Sequence, residues 1–250
     1  MNINSETHFI TENIGDFYIT YDPLTDIGTR LNKTKEFEKE EIEIASRYIK
    51  NDSIILDIGA NIGLHSLRFS YMAKEGLVFA FEPQPRTFAI LVNNIFQNNL
   101  KNVFPLNIAI AETPEISDFF VMSDNAYSSL IDTKRKQLLE QIRVLCVSID
   151  KLFDNIKIDF VKIDVEGTEL DVLYSMKKII SHYKPIIFCE VYKGKIDFYN
   201  PHDTIEYIQN NGYRAFRVMH GNLFEFKKND VHNDKYYNYF FIPLEHNSCA

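Results

Sequence analysis

Four short stretches of this 250-residue sequence combine charge with backbone freedom in ways that could do chemistry. The first is Asp57-Ile-Gly59-Ala60-Asn61-Ile-Gly63, directly after the apolar run Ile54 to Ile58. Glycines that follow a buried strand let the backbone turn sharply and approach a ligand, because no Cβ intervenes. Asn61 stands where a pyrophosphate-binding loop would carry its middle glycine, and Asp57 would repel a pyrophosphate. The same carboxylate suits a ligand end that carries an ammonium or a sulfonium. The second stretch is Phe79-Ala-Phe81-Glu82-Pro83, an apolar strand that ends on one acid about one βα unit later. A carboxylate there can accept hydrogen bonds from both hydroxyls of a ribose. Pro83 and Pro85 disfavour helix before Arg86 and so keep the acid at the strand tip.

The third stretch is Phe160-Val-Lys162-Ile-Asp164-Val-Glu166-Gly-Thr-Glu169. Strand alternation places Lys162 and Asp164 on one face, so an otherwise apolar strand delivers two charges to its carboxyl end. Open α/β sheets bind ligands there, near the point where strand order reverses. A purely structural pair between Lys162 and Asp164 is the competing reading. The fourth stretch, Ile186 to Glu190, adds an acid at the same edge, with Lys193 shortly after. A hydroxyl is a poor nucleophile at neutral pH and gains from a carboxylate base or from a metal that acidifies it. Asp164 is the first candidate for the base and Glu190 the second, with Lys162 beside them. Asp164 and Glu190 could instead share a divalent metal, although no full ligand set can be read and the other histidines lack metal-ligand spacing. His65, at the start of the helix after the glycine loop, is either a base or a buried neutral histidine.

These residues need a scaffold, and hydropathy outlines one. Short apolar runs alternate with helical periodicity, the pattern of a parallel sheet with crossover helices. Phe37, Ile44, Ala45, Tyr48 and Ile49 mark a packing helix, Ile54 to Ile58 a central first strand, and Leu64, Leu67, Tyr71 and Met72 the next helix. Leu77 to Phe81 is the second strand, followed by a helix carrying Phe88, Leu91, Val92, Ile95 and Phe96. Val103 to Ile110, Ile158 to Val165 and Pro185 to Val191 read as strands three to five, with a helix through Leu170, Leu173, Tyr174 and Ile180 between the last two. Tyr213 to Val218 and Tyr236 to Ile242 close the sheet. Residues 1–35 are expected to cap a domain of residues 36–250. Residues 111–150 exceed one crossover and are expected to insert a strand pair, Ile116 to Val121 and Ile142 to Ile149, with a mobile loop from Met122 to Gln141 that orders around an acceptor. Lys134-Arg135-Lys136 in that loop reads as solvated charge.

Composition narrows the function classes. A formal charge of -8 and a pI near 5.4 lack the basic field that draws proteins onto nucleic acid. Met1 to Ile14 has no leader character and no stretch is apolar for long enough to span a bilayer, so a soluble cytoplasmic protein is expected. Cys146, Cys189 and Cys249 form no Cys-x-x-Cys arrangement, and the first two read as core residues.

Together, Asp57-Ile-Gly-Ala-Asn-Ile-Gly63, Phe81-Glu-Pro83, Lys162-Ile-Asp-Val-Glu-Gly-Thr-Glu169 and Pro185 to Glu190 resemble the FkbM family of S-adenosylmethionine-dependent methyltransferases, over about residues 40–192. The resemblance implies an α/β, Rossmann-like class I methyltransferase fold: a seven-stranded, mostly parallel sheet with helices on both faces. It implies S-adenosylmethionine as cofactor, with Asp57, Gly59, Asn61 and Gly63 at the methionine portion, Glu82 at the ribose and Asn107 to Ala109 beside the adenine. Ala60 and Pro83 belong to the same cofactor loops. It also implies O-methylation, often of sugars or polyketide-type natural products, so the expected partner is a small-molecule or glycan acceptor. A nucleotide 2′-O-methyltransferase would share the chemistry but need a basic groove. A non-catalytic adenosyl-binding module is the other alternative, since fold alone does not prove activity.

Overall fold

The computed structural model describes residues 9–193 and 199–246. A hairpin of β1 (Ile10–Asn13) and β2 (Tyr18–Tyr21) leads into helices α1 (Asp26–Thr34) and α2 (Lys39–Ala45). Two βαβ units follow: β3 (Ile54–Ile58), α3 (Leu64–Met72), β4 (Leu77–Phe81), α4 (Pro85–Gln97) and β5 (Val103–Leu106). The chain then forms β6 (Ala109–Ile110), β7 (Ile116–Met122) and β8 (Leu138–Val147), and returns through α5 (Ile149–Leu152) to β9 (Phe160–Ile163). Helices α6 (Glu169–Ser175) and α7 (Lys177–His182) precede β10 (Ile186–Glu190) and α8 (Pro201–Asn210). Strands β11 (Tyr213–Met219), β12 (Asn222–Phe226) and β13 (Asn238–Pro243) complete the described chain.

Among the described residues the main sheet has eight strands in the order β12-β11-β13-β10-β9-β3-β4-β5. The five from β10 to β5 run parallel, and β13 is antiparallel to both β10 and β11. Alternation along the strands splits the core in two. Ile55, Val78 and Phe160 pack with α1 to α4 on one face, while Leu56, Ile58, Val161 and Ile163 pack with α5 to α8 on the other. Cys146 and Cys189 are both buried. The hairpin and α1 join the first core through Ile19, Tyr21 and Leu31, and Asn94 of α4 brackets Thr20, accepting from its amide at 2.8 Å and donating to its carbonyl at 3.0 Å. No helix among the described residues is long and apolar enough to cross a membrane.

The expected class of sheet is present, with five differences of detail. Strand β12 is an eighth member, joined to β11 by His220 and Gly221, both at positive φ, which is the two-residue hairpin geometry. The expected third strand ends at Leu106, where Asn107 turns the chain by donating to the carbonyls of Glu82 and Pro83, and Ala109–Ile110 joins β8 in a separate three-stranded sheet with β7. The helix expected through Ile180 breaks at Met176, and the fourth strand is only Phe160–Ile163. The inserted pair is longer than expected, with β8 beginning at Leu138.

Glu169 opens α6 at 2% exposure and accepts from the Gly167 amide at 2.8 Å. Burial outweighs that amide and lifts the carboxyl from 4.5 to about 7. The folded state therefore holds this proton more tightly than the unfolded chain does, so the group's contribution is full below about pH 4.5 and falls as pH rises through about 7. Glu169→Gln, which stays neutral and keeps the amide bond, is expected to add about 1–3 kcal/mol to unfolding stability near pH 8 and much less near pH 5. Urea denaturation at both pH values checks this, and equal effects would refute it.

Candidate functional site

Strands β3 and β9 lie in parallel register with Asp57 opposite Lys162. Asp57 is fully buried and Lys162 is 3% exposed. Lys162 Nζ sits 3.6 Å from Asp57 Oδ1 and 3.2 Å from Asp164 Oδ2, and donates to the Gly59 carbonyl at 3.0 Å. Ser66 Oγ donates to the other Asp57 oxygen at 2.5 Å. Burial alone would lower the proton affinity of Lys162, but the charges of Asp164, Asp57 and Glu38 outweigh it and raise it, so the side chain stays an ammonium. The glycine loop rests on this cation. Gly59 has φ 80°, and a Cβ there would fall 1.8 Å from the Asp164 carbonyl, so only glycine lets the two loops touch.

Beyond the strand ends open two adjoining chambers that share Gly59, Asn61, Ala126, Asp164 and Glu166. The first holds about 570 Å³ between apolar walls that include Phe81, Ile108, Phe119 and Leu130, with Glu82 entering from one side. Glu82 accepts from the Asn61 amide at 3.0 Å and the Gln84 amide at 2.8 Å, and each oxygen keeps a further lone pair. Burial pushes this carboxyl up to about 7 against those amides. Of the residues expected at a cofactor, Gly59, Asn61, Glu82, Pro83 and Ala109 line this chamber and Ala60 lines the second. Asn107, Gly63 and Asp57 lie behind the lining, where Asn107 braces the Glu82 loop and Asp57 faces Ser66 and Lys162.

The second chamber, of about 640 Å³, gathers all four residues singled out as catalytic: Asp164, Glu190, Lys162 and His65. Asp164, Glu166 and Glu190 each bring a carboxylate oxygen within 4.8 Å of the others, close enough to hold a divalent cation between them. Burial, then the charge of Asp164, pushes the carboxyls of Glu166 and Glu190 well above the usual range. His65 Nε2 lies 3.1 Å from Glu38 Oε2, with both side chains largely buried. Burial would raise the Glu38 carboxyl, but His65 and Lys162 more than offset it and hold it low.

Several residues of this chamber were not legible in advance. Glu38 and Arg30 arrive from the N-terminal segment, and Glu166 sits at φ 60° before Gly167 at φ 104°, a turn that aims its carboxyl inward. Arg135 corrects the reading of Lys134-Arg135-Lys136 as solvated charge. Its guanidinium pairs with Glu166 and stacks between the rings of Tyr127 and Tyr192, 4.4 and 4.3 Å from their centroids. The surrounding loop crosses the mouth of the site, where Asn125 donates to Asn61 Oδ1 at 3.1 Å and Ser129 to the Val165 carbonyl at 2.8 Å.

A parallel sheet that reverses between β3 and β9, closed by an antiparallel strand and holding its cavity above that point, is the class I methyltransferase fold with an added edge strand. Residues 57–215 match the Methyltransferase FkbM domain, and the chain belongs to that family. It is 30% identical over 161 residues to the hexuronic acid methyltransferase AglP of Haloferax volcanii, a match spanning 63% of each chain and thus less than two thirds of that relative's length. It is 26% identical over 194 residues to the 2-O-methyltransferase NoeI of Sinorhizobium fredii, covering 69% of this chain and 79% of the relative. The crystal structure of the FkbM methyltransferase of Methylobacillus flagellatus shares the fold at 18% identity with a TM-score of 0.54, covering 77% of this chain and 44% of that one.

The pairing of Arg135 makes the insertion a fastened element. Arg135→Ala leaves Glu166 without its cation, and amide exchange across residues 123–137 is expected to accelerate by about tenfold or more, while β3 and β9 keep their protection. Unchanged exchange in the loop would show that the pair does not hold it.

Proposed function

We propose that this protein is an S-adenosylmethionine-dependent O-methyltransferase acting on a hydroxyl of a sugar or another small polyhydroxylated molecule. The observation that carries the reading is the junction of the two chambers at Gly59, Asn61 and Asp164. The first chamber suits an adenosyl group by its own chemistry, with apolar walls for a base and Glu82 for a ribose. The acids at the junction suit a cationic sulfonium end. Bound there, S-adenosylmethionine would supply an activated methyl group.

The chain's own contribution is alignment and proton removal. The loop from Gly59 to Gly63 fixes one reactant, and the insertion excludes water from the other. Lys162 holds Asp164 at 3.2 Å, so this carboxylate orients the acceptor hydroxyl, and Glu190 beside it takes the proton. The specificities carried by AglP and NoeI, a hexuronic acid and a 2-O position, support oxygen as the acceptor atom and a carbohydrate as the acceptor.

Calorimetry tests the first chamber: Glu82→Ala is expected to weaken S-adenosylhomocysteine binding by about 1–3 kcal/mol, and an unchanged affinity in a folded variant would remove Glu82 from the site. Asp164→Asn or Glu190→Gln is expected to lower the maximal rate by about 10²-fold or more while affinity for S-adenosylhomocysteine, which lacks the sulfonium charge, stays within about threefold. The base works only when deprotonated and its proton affinity is raised, so the rate should rise with pH along a limb above the ordinary carboxylate range, and Glu190→Gln should flatten that limb. Turnover is expected to survive a chelator. Loss with recovery on adding magnesium would move the acids from proton acceptor to metal holder.

A further inference from the structure

Part of the wall of the second chamber comes from outside the span shared with the family. Asp26, Ile27, Arg30, Phe37 and Glu38 precede residue 57, and Tyr237 follows residue 215. The cations on this wall are already taken. Among the described residues five acids line it, Asp26, Glu38, Asp164, Glu166 and Glu190, beside three permanent cations on Arg30, Arg135 and Lys162. Each cation already faces an acid. Arg30 holds Asp26 at 3.0 Å, Arg135 holds Glu166, and Lys162 holds Asp164 while also answering Asp57 behind the wall. Glu38 is left with His65, and Glu190 has no lysine or arginine within ion-pair distance among the described residues.

An anion entering here would meet acids on several sides and find, among the described residues of the wall, no guanidinium or ammonium without an acid partner to receive it. A neutral polyol, by contrast, presents hydroxyl donors to carboxylate acceptors, and an ammonium would answer Glu190 or Glu38 directly. The aromatic rings of Phe37, Tyr127 and Tyr237 line the chamber beside these acids, the kind of surface on which a sugar ring packs. Resting on the reading of this chamber as the acceptor site, we propose that the acceptor is a sugar-sized polyol without anionic groups, that an ammonium-bearing sugar is preferred, and that its carboxylated counterpart is excluded. The chain then differs in acceptor charge from its hexuronic-acid relative, through Asp26 and Glu38 outside the common domain together with Asp164, Glu166 and Glu190 within it.

Three probes of one ring shape test this: the methyl glycosides of glucosamine, glucose and glucuronic acid. Their binding to the full chain is measured by saturation-transfer NMR with and without S-adenosylhomocysteine, and methyl transfer is followed with isotopically labelled S-adenosylmethionine. The glucosaminide and the glucoside are expected to bind, the former at least as well, with the glucuronide about tenfold weaker or worse. Equal or tighter binding of the glucuronide overturns the proposal, as does failure of both other probes to bind. Failure of S-adenosylhomocysteine itself to bind overturns the methyltransferase reading instead, and the sugar measurements made without it keep the two failures apart. In Glu38→Gln and Glu190→Gln, the discrimination against glucuronide is expected to narrow by about threefold or more. An unchanged ratio in both folded variants would show that these acids do not set the selectivity.

Discussion

Lys162 is sealed from water between β3 and β9, and the groups around it must answer its charge. Asp57 does so from the neighbouring strand, Asp164 from the end of its own strand, and the Gly59 carbonyl from the loop above. One ammonium thus ties together a strand end, a ligand-approaching loop and the leading carboxylate of the second chamber. Buried ion pairs are seldom a net source of stability, but removing one partner strands the other, at about 3–5 kcal/mol. The arrangement is better understood as a constraint on geometry. It holds Asp164 against the glycine loop at a contact that leaves no room for a side chain at Gly59.

The two chambers differ in how they are assembled. The first is built from loops at the ends of adjacent parallel strands, so its shape follows from the sheet, and its residues fall within the span that defines the family. The second borrows a helix that precedes the sheet, a loop inserted between β7 and β8, and a residue near β13. Those parts are attached to the sheet without being required by it. The two chambers thus share a floor at Gly59, Asn61 and Asp164 but differ in how much of their outer wall the sheet dictates.

What was legible in the sequence follows the same division. Strands β3, β4 and β10 announced themselves because helices cover both sheet faces and demand nearly continuous apolar runs. Asp164, Lys162 and Glu190 stood out as charges interrupting such runs. The edge strand β12 did not, since Asn222 and Glu225 are exposed and only its two-residue turn betrays it. The break after Leu106 depends on side-chain bonds from Asn107 to carbonyls some two dozen residues earlier, which no local pattern records. Arg30, Glu38 and Arg135 sit in polar stretches where a buried charge and a solvated one look alike. Their roles come from tertiary neighbours such as Tyr192 and His65.

The bracket between Thr20 and Asn94, and the bond from Asn238 to Glu41 at 2.8 Å, bear on how the molecule comes to be folded. Segments made early are held by partners made much later, the second of them nearly two hundred residues downstream. The seating of the N-terminal segment beside the second chamber is consequently a product of high contact order. Its loop-closure entropy has to be overcome before any of its contacts reward the chain. During synthesis the parallel strands β3, β4 and β5 can pair while the segment from Asp26 to Glu38 still lacks part of its seat. The first part of the site to leave the ribosome is thus among the last to be finished.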